Sequence, residues 1–167
     1  PTRAEGHEGG GGVIEGTVVE RLRALAPTVS VGMLTADLTR LGEEMALLEG
    51  TGVGVVHVDV MDGCFCPMTT IGPPVVKAVR TSMLKDVHLM IEAPLHKVAD
   101  YVAAGADMVT IHVESERYVR RTLAALAAME NANDPARGNL RGVALLPGTP
   151  VAAVEPALDL ADYALAP

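Results

Sequence analysis

Val55-Val56-His57-Val58-Asp59-Val60-Met61-Asp62-Gly63 is the stretch around which this chain is arranged. Strict alternation marks a strand, with Val56, Val58 and Val60 on one face and His57, Asp59 and Met61 on the other. An imidazole and a carboxylate beside a methionine seldom serve as filler, because an unpaired buried charge is costly and is normally paired or bound to a metal. By itself the segment admits two readings: a core histidine satisfied by a salt-bridged aspartate, or a functional site. Asp86-Val87-His88-Leu89-Met90 repeats the pattern, with Asp86, His88 and Met90 on one face. Two imidazoles and a carboxylate near the C-terminal ends of neighbouring parallel strands make an N,N,O donor set suited to zinc, iron or manganese. His112 and Glu114 share a face of a later strand and read as core or supporting residues rather than ligands.

Outward from these two strands the chain alternates strand and helix. Residues 1–12 form a glycine-rich leader expected to be mobile. A short amphipathic helix over 13–25, carrying Val13, Val18, Val19, Leu22 and Leu25, is closed by Pro27 and is expected to plug a barrel floor or pack on its side. Residues 29–34 read as the first strand, leading through Thr35-Ala36-Asp37 into a helix with Leu38, Leu41, Met45 and Leu48 on one face and Gly50 and Gly52 at its end. Pro73-Pro74 opens a helix through Val79. After the strand 86–90, a helix follows Pro94 and stops at Gly105. Residues 108–114 are a fourth strand, and Ser115 is placed as the N-cap of a helix reaching about Met129. Residues 131–139 read as a polar surface loop, 142–146 as a fifth strand, Thr149-Pro150 as the start of a helix through Leu158, and 163–165 as a sixth strand.

Six strands alternating with five helices specify a parallel α/β architecture, wound into a barrel or an open sheet. No G-x-G-x-x-G turn follows the first strand, which disfavours a dinucleotide fold. Two units divide the chain: 1–28, the leader and its helix, and 29–167, a (β/α) barrel domain. A (β/α)8 barrel typically needs about 250 residues. The sequence therefore reads as the first six units of a longer barrel, a barrel that has lost its last units, or a smaller open sheet.

Composition narrows the functional classes. The 167 residues are 49% apolar but only 2% aromatic, with no Trp, so the core must be aliphatic, as suits parallel strands covered by helices. A net charge of −8 argues against nucleic acid or an anionic membrane as partner. It also means that an anionic substrate must be held by local donors. Cys64 and Cys66 are too close for an ordinary disulfide, which with their low number fits a reducing, cytoplasmic setting. No apolar run approaches the roughly 20 residues of a membrane span, and the N-terminus lacks the order of a secretion signal. The chain begins with Pro, so its start is read as processed or trimmed.

His57-Val58-Asp59-Val60-Met61-Asp62-Gly63, Thr70-Ile71-Gly72-Pro73-Pro74-Val75-Val76 and Asp86-Val87-His88-Leu89-Met90 together resemble the ribulose-phosphate 3-epimerase family. The resemblance runs from about Ser30 to Leu165 and includes L-T-A-D at 34–37, A-G-A-D at 104–107, I-H-V-E at 111–114 and P-G-T-P at 147–150. It implies a (β/α)8 TIM barrel of the ribulose-phosphate-binding type that interconverts D-ribulose 5-phosphate and D-xylulose 5-phosphate. It further implies His57, Asp59 and His88 as ligands of a divalent metal ion, Asp59 as an acid/base, and Thr35, His88, Met61 and Met90 as substrate-binding residues. The two methionines admit ordinary core filling equally well.

Departures from the family pattern are also legible. The second aspartate, on the seventh strand, and the glycine-rich phosphate loops after the sixth to eighth strands fall beyond Pro167. Thr35 stands where the family usually has serine, Met68 replaces a common asparagine, and 131–139 is longer than the family norm. C-x-C at 64–66 is only a weak signal for a soft metal. Two alternatives accompany the epimerase reading: a D-allulose 6-phosphate 3-epimerase, and a non-catalytic, truncated barrel relative. Exposed strand edges on an incomplete barrel favour pairing with another copy, so a homo-oligomer is expected.

Overall fold

A computed structural model of the protein describes residues 16–166. The expected mobile leader and the start of the first helix at Val13 lie outside the described residues. The strands are β1 (Ser30–Gly32), β2 (Val55–Met61), β3 (Leu84–Met90), β4 (Met108–His112), β5 (Leu140–Ala144) and β6 (Tyr163–Leu165). They form one sheet in sequence order, and every neighbouring pair is parallel. The helices are α1 (Val18–Leu25), α2 (Leu41–Gly50), α3 (Pro73–Ala78), α4 (Val98–Ala103) and α5 (Val119–Ala127).

The sheet is curled. Tyr163 of β6 donates its hydroxyl hydrogen to Asp86 of β3 at 3.3 Å, although three strand spacings separate them. In a flat sheet that separation would be about 14 Å. The two side chains meet because the strands bend around a common interior, giving part of a (β/α)8 barrel.

Alternation sorts the strand residues between two environments. Val56, Val58 and Val60 of β2, with Val87 and Leu89 of β3 and Val109 and Ile111 of β4, are almost wholly buried. They share a core with Met45 of α2, Val76 of α3, Val102 of α4 and Leu123 and Leu126 of α5. Burying each such side chain stabilises the fold by roughly 1.5–3 kcal/mol. The opposite parity points into the barrel. Its lowest residues, Val55, Leu84, Met108 and Leu140, cluster with Val18 of α1, joined by Val19, Leu22 and Leu25. Thus α1 plugs the floor. Thr17 and Glu20 fix its start with a reciprocal capping box. Gly54 lets it close, since a Cβ there would lie 2.4 Å from Leu25.

Several boundaries differ from the sequence reading. The first strand is only three residues, and Met33–Thr35 turns as a 3-10 helix. Asp37 caps a further 3-10 turn, Leu38–Arg40, that leaves Leu38 exposed rather than on the buried face. The third strand starts two residues earlier than expected, at Leu84, and the fourth ends at His112. Ser115 is not an N-cap: its hydroxyl donates to the carbonyl of His112, and α5 begins at Val119. Glu116 holds the intervening turn by accepting from the amides of Tyr118 and Leu95. The expected helix over 150–158 is two 3-10 turns, Val151–Ala153 and Glu155–Ala157. Pro156 explains this, because it has no N–H for the carbonyl one turn before it. The fifth strand begins at Leu140, two residues early. Within the supposed surface loop, Asn131 is 1% exposed and bonded to Asp107 at 3.0 Å.

Gly142, on the inner face of β5, makes room for the Tyr163 ring. A Cβ there would lie 2.5 Å from both Thr110 Oγ1 and Tyr163 Cζ. Gly142→Ala is therefore expected to cost about 1–3 kcal/mol, the usual effect of overpacking. Urea denaturation followed by tyrosine fluorescence measures it, and a cost below about 0.5 kcal/mol would show that the ring is not confined there.

Candidate functional site

The inward parity of β2 and β3 places His57, Asp59 and Met61 beside Asp86, His88 and Met90, with Asp59 in register with His88 and Met61 with Met90. Asp59 Oδ1 lies 3.1 Å from His57 Nε2 and 3.1 Å from His88 Nδ1. One carboxylate oxygen thus bridges two imidazoles. His57, Asp59 and His88 offer donor atoms that all lie within 4.8 Å of one another, close enough to share a cation.

The outer nitrogen of each histidine is also held. His57 Nδ1 is 2.7 Å from Asp86 Oδ2, and Asp86 in turn accepts from Tyr163, whose hydroxyl is 2.7 Å from Thr110 Oγ1. His88 Nε2 is 2.8 Å from His112 Nε2, and His112 Nδ1 is 3.3 Å from Glu114 Oε2. Supporting contacts of this kind orient histidines that ligate metals.

These contacts dictate the proton positions. Glu114 is held below the usual carboxylate range; burial opposes this, but hydrogen bonds from Thr149, the backbone of Leu146 and His112 outweigh it. An ionised Glu114 accepts, so His112 carries its hydrogen on Nδ1. Burial, reinforced by His88, pushes the His112 pKa down and favours the neutral ring. Its Nε2 must then accept from an N–H on His88 Nε2. With Nε2 engaged by His112, His88 has only Nδ1 to offer the Asp59 oxygen, 3.1 Å away. That nitrogen and the Asp59 oxygen can share either a proton or a metal ion, and with His57 they form a donor set that fits a divalent cation. On the other flank of Asp59, any proton on His57 Nε2 must leave before that nitrogen can bind a metal. Hydrogen bonds to Asp59 and then Asp86 push the His57 pKa up to about 10, and His57 and then His88 hold Asp59 far below the ordinary carboxylate range.

The remaining expected site residues lie at the same end of the strands. Met61 and Met90 are half-buried register partners. Thr35 follows β1, exposed, with its hydroxyl donating to the carbonyl of Gly32, the register partner of His57. The loop after β2 folds back over the mouth. Thr70 Oγ1 donates to the carbonyl of Asp59 at 2.8 Å and accepts from the amide of Met61 at 3.0 Å. Phe65 packs its ring 5.0 Å from that of His112. Cys64 and Cys66 in this loop are free thiols.

A sequence model of the ribulose-phosphate 3 epimerase family matches residues 28–166. The chain belongs to that family. It is 42% identical over 145 residues to the ribulose-phosphate 3-epimerase of Rhodobacter capsulatus, covering 86% of this chain and 58% of the relative. It is 40% identical over 151 residues to the chloroplastic ribulose-5-phosphate-3-epimerase of Arabidopsis thaliana, covering 88% and 51%. With the ribulose-phosphate 3-epimerase of Treponema pallidum the identity is 39% over 149 residues, covering 88% and 63%. The matched region spans between half and two thirds of the length of these relatives. Among the described residues no helix is long and apolar enough to cross a membrane.

In this epimerase-family chain, the sequence reading passed over three residues that complete the site. Asp86 had been noted only for its parity, yet it holds His57; its spacing two residues before His88 was the available signal. Tyr163 reaches the site from β6 only because the sheet curls, which no local pattern announces. Asp62 sat in plain view in the D-G turn. Its carboxylate accepts from the amides of Cys64, Phe65 and Glu92 at 2.8–3.0 Å, tying the loop after β2 to that after β3. Partial burial of Asp62 works against ionisation, but these amides and the Lys97 ammonium bring its pKa down to about 2. Because the folded pKa lies below the ordinary 3.8, the ionised Asp62 stabilises the fold above pH 4, and that stabilisation is lost as pH falls toward 2. Asp62→Asn is expected to lower stability at pH 6 by about 1–3 kcal/mol and to flatten the acid limb between pH 4 and 2. Urea titrations across that range measure both effects; an unchanged acid limb would place the pH dependence elsewhere.

Proposed function

We propose that the protein to which this chain belongs interconverts D-ribulose 5-phosphate and D-xylulose 5-phosphate by moving a proton at C3. The observation that carries this reading is the single Asp59 oxygen held between His57 and His88 at 3.1 Å from each. The names of the relatives, which specify ribulose phosphate, support the pentose over a hexose such as allulose 6-phosphate.

Epimerisation beside a ketone removes a proton from one face, passes through an enediolate and returns a proton to the other face. Asp59 is the residue we assign to one of these transfers. It is ionised at neutral pH, so its carboxylate can take the proton. His57, Asp59 and His88 would hold a divalent ion such as zinc, iron or manganese, and that ion, when bound, would supply Lewis-acid stabilisation of the negative charge on the substrate oxygens. Asp86 and His112 fix the two imidazoles, so that His57 and His88 present one nitrogen each toward Asp59 without rotating. Met61 and Met90 form an apolar, polarisable wall beside the reacting carbon, which with Phe65 keeps water away from it. Thr35 would contribute a hydroxyl to the substrate.

In the full-length protein, Asp59→Asn is expected to lower exchange of the C3 hydrogen with solvent deuterium by about 100- to 10,000-fold, with the fold retained. Exchange at the parental rate would show that another group takes the proton. Supplying allulose 6-phosphate to the parental protein separates the two substrates, and faster turnover of the hexose would overturn the pentose assignment. Metal binding has its own readout. His57→Ala and His88→Ala are each expected to weaken cobalt(II) binding, followed by its visible absorption, at least about tenfold. Equal affinity in both variants would remove these residues from the ligand set.

A further inference from the structure

At the opposite end of the strands lies a cleft of about 410 Å³ between the end of α3, the start of β3, the turn before β4 and the loop before β5. That is within the range of small-molecule sites. Its wall carries Lys77, Arg80, Lys85 and Arg137 against one carboxylate, Asp107. This is a cationic island on a chain of net charge −8.

The carboxylate does not neutralise the cations. Asp107 is 1% exposed and its oxygens already accept from the amide of Lys85 at 2.9 Å, from Asn131 at 3.0 Å and from Asn133 and Arg137 at 3.2 Å. Lys85 is 7% exposed, yet among the described residues its ammonium has only one hydrogen-bond partner, the carbonyl of Val76 at 3.0 Å, and no ion pair. Arg137 Nε is buried without a partner, and Lys77 and Arg80 make no ion pair among the described residues. Buried donors are normally satisfied, and a buried charge is normally paired. Gly105, at φ +92°, lines the cleft beside the ammonium: a Cβ there would lie 3.4 Å from Lys85 Nζ and 2.8 Å from Asn133 Oδ1, so the missing side chain leaves the room that Asn133 takes up. Burial pushes the Lys85 pKa down and Asp107 only partly offsets it, as expected of an ammonium short of negative charge.

We propose that this cleft binds a small phosphate-bearing anion. Several cationic groups with spare donors match an oxyanion carrying more than one negative charge and several acceptor oxygens. The site is separate from the barrel mouth. Lys85 precedes His88 by three residues, about 10 Å along β3, and its side chain has the opposite parity, facing the helices. An occupant would tie α3, β3 and the 131–137 loop together, acting on the stability of the lower barrel and not on the proton transfer.

Backbone amide spectra of the full-length protein, titrated at constant ionic strength with inorganic phosphate and separately with glycerol phosphate, test this. Saturable shifts at Lys85 and Gly105 are expected with at least one probe, and the probe that binds more tightly identifies free phosphate or a phosphate ester as the occupant. The double variant Lys77→Gln/Arg80→Gln changes only exposed side chains and is expected to weaken that binding about tenfold. Shifts confined to the Asp59 and Met61 end, a non-saturating response, or undiminished binding by the variant would each overturn the proposal. None of these readouts depends on turnover, so the epimerase reading stands or falls separately.

Discussion

The geometry of this protein turns on the in-register pairing of β2 with β3 across their inner faces. Asp59 faces His88 and His57 faces Asp86, so two carboxylates and two imidazoles alternate on adjacent strands. A one-residue slip in either strand would turn these charged groups into the aliphatic layer and bring valines into the barrel. The desolvation cost of that exchange, set against the burial of Val56, Val58, Val60, Val87 and Leu89, makes the register strongly specified. The chemical potential of the site and the stability of the sheet therefore follow from one constraint.

Because the interior of the barrel is polar where the site lies, the rest of the fold is arranged to satisfy it. Tyr163 and Thr110 close the hydrogen-bonded chain behind Asp86, and Glu114 closes the one behind His112. Gly142 leaves the space that Tyr163 needs. Below this layer the inner face becomes aliphatic and α1 covers it, while the loops after β2 and β3 shape the mouth at the other end. Chemistry at one end of the strands and closure at the other is the division of labour expected of this architecture.

What was legible in the sequence was what alternation and local spacing encode. His57, Asp59 and His88 converge because strand periodicity is exact over short distances, and parallel neighbours stack like parities in register. The six strands and four of the five connecting helices followed for the same reason. What was not legible depended on partners far away in the chain. Asn131 lies in a stretch so polar that it reads as a solvated loop, yet its side chain is drawn inside by Asp107, twenty-four residues earlier. Ser115 has the composition of an N-cap, but the carbonyl of His112 and the turn held by Glu116 compete successfully for that segment. The 150–158 segment has helical apolar spacing, which Pro156 overrides.

The two polar clusters make an instructive contrast. Around Asp59 carboxylates and imidazoles interlock: His57 stands between Asp59 and Asp86, and His88 between Asp59 and His112. The His88–His112–Glu114 chain leaves His88 Nδ1 and the Asp59 oxygen to share one proton or one cation. Around Asp107 the carboxylate is fully engaged while cations remain in excess. A carboxylate–imidazole cluster and a cluster with cations in excess thus lie on opposite sides and at opposite ends of the same strand, β3. The aliphatic layer that includes the buried Val87 and Leu89 contributes hydrophobic stability that polar clusters seldom provide by themselves.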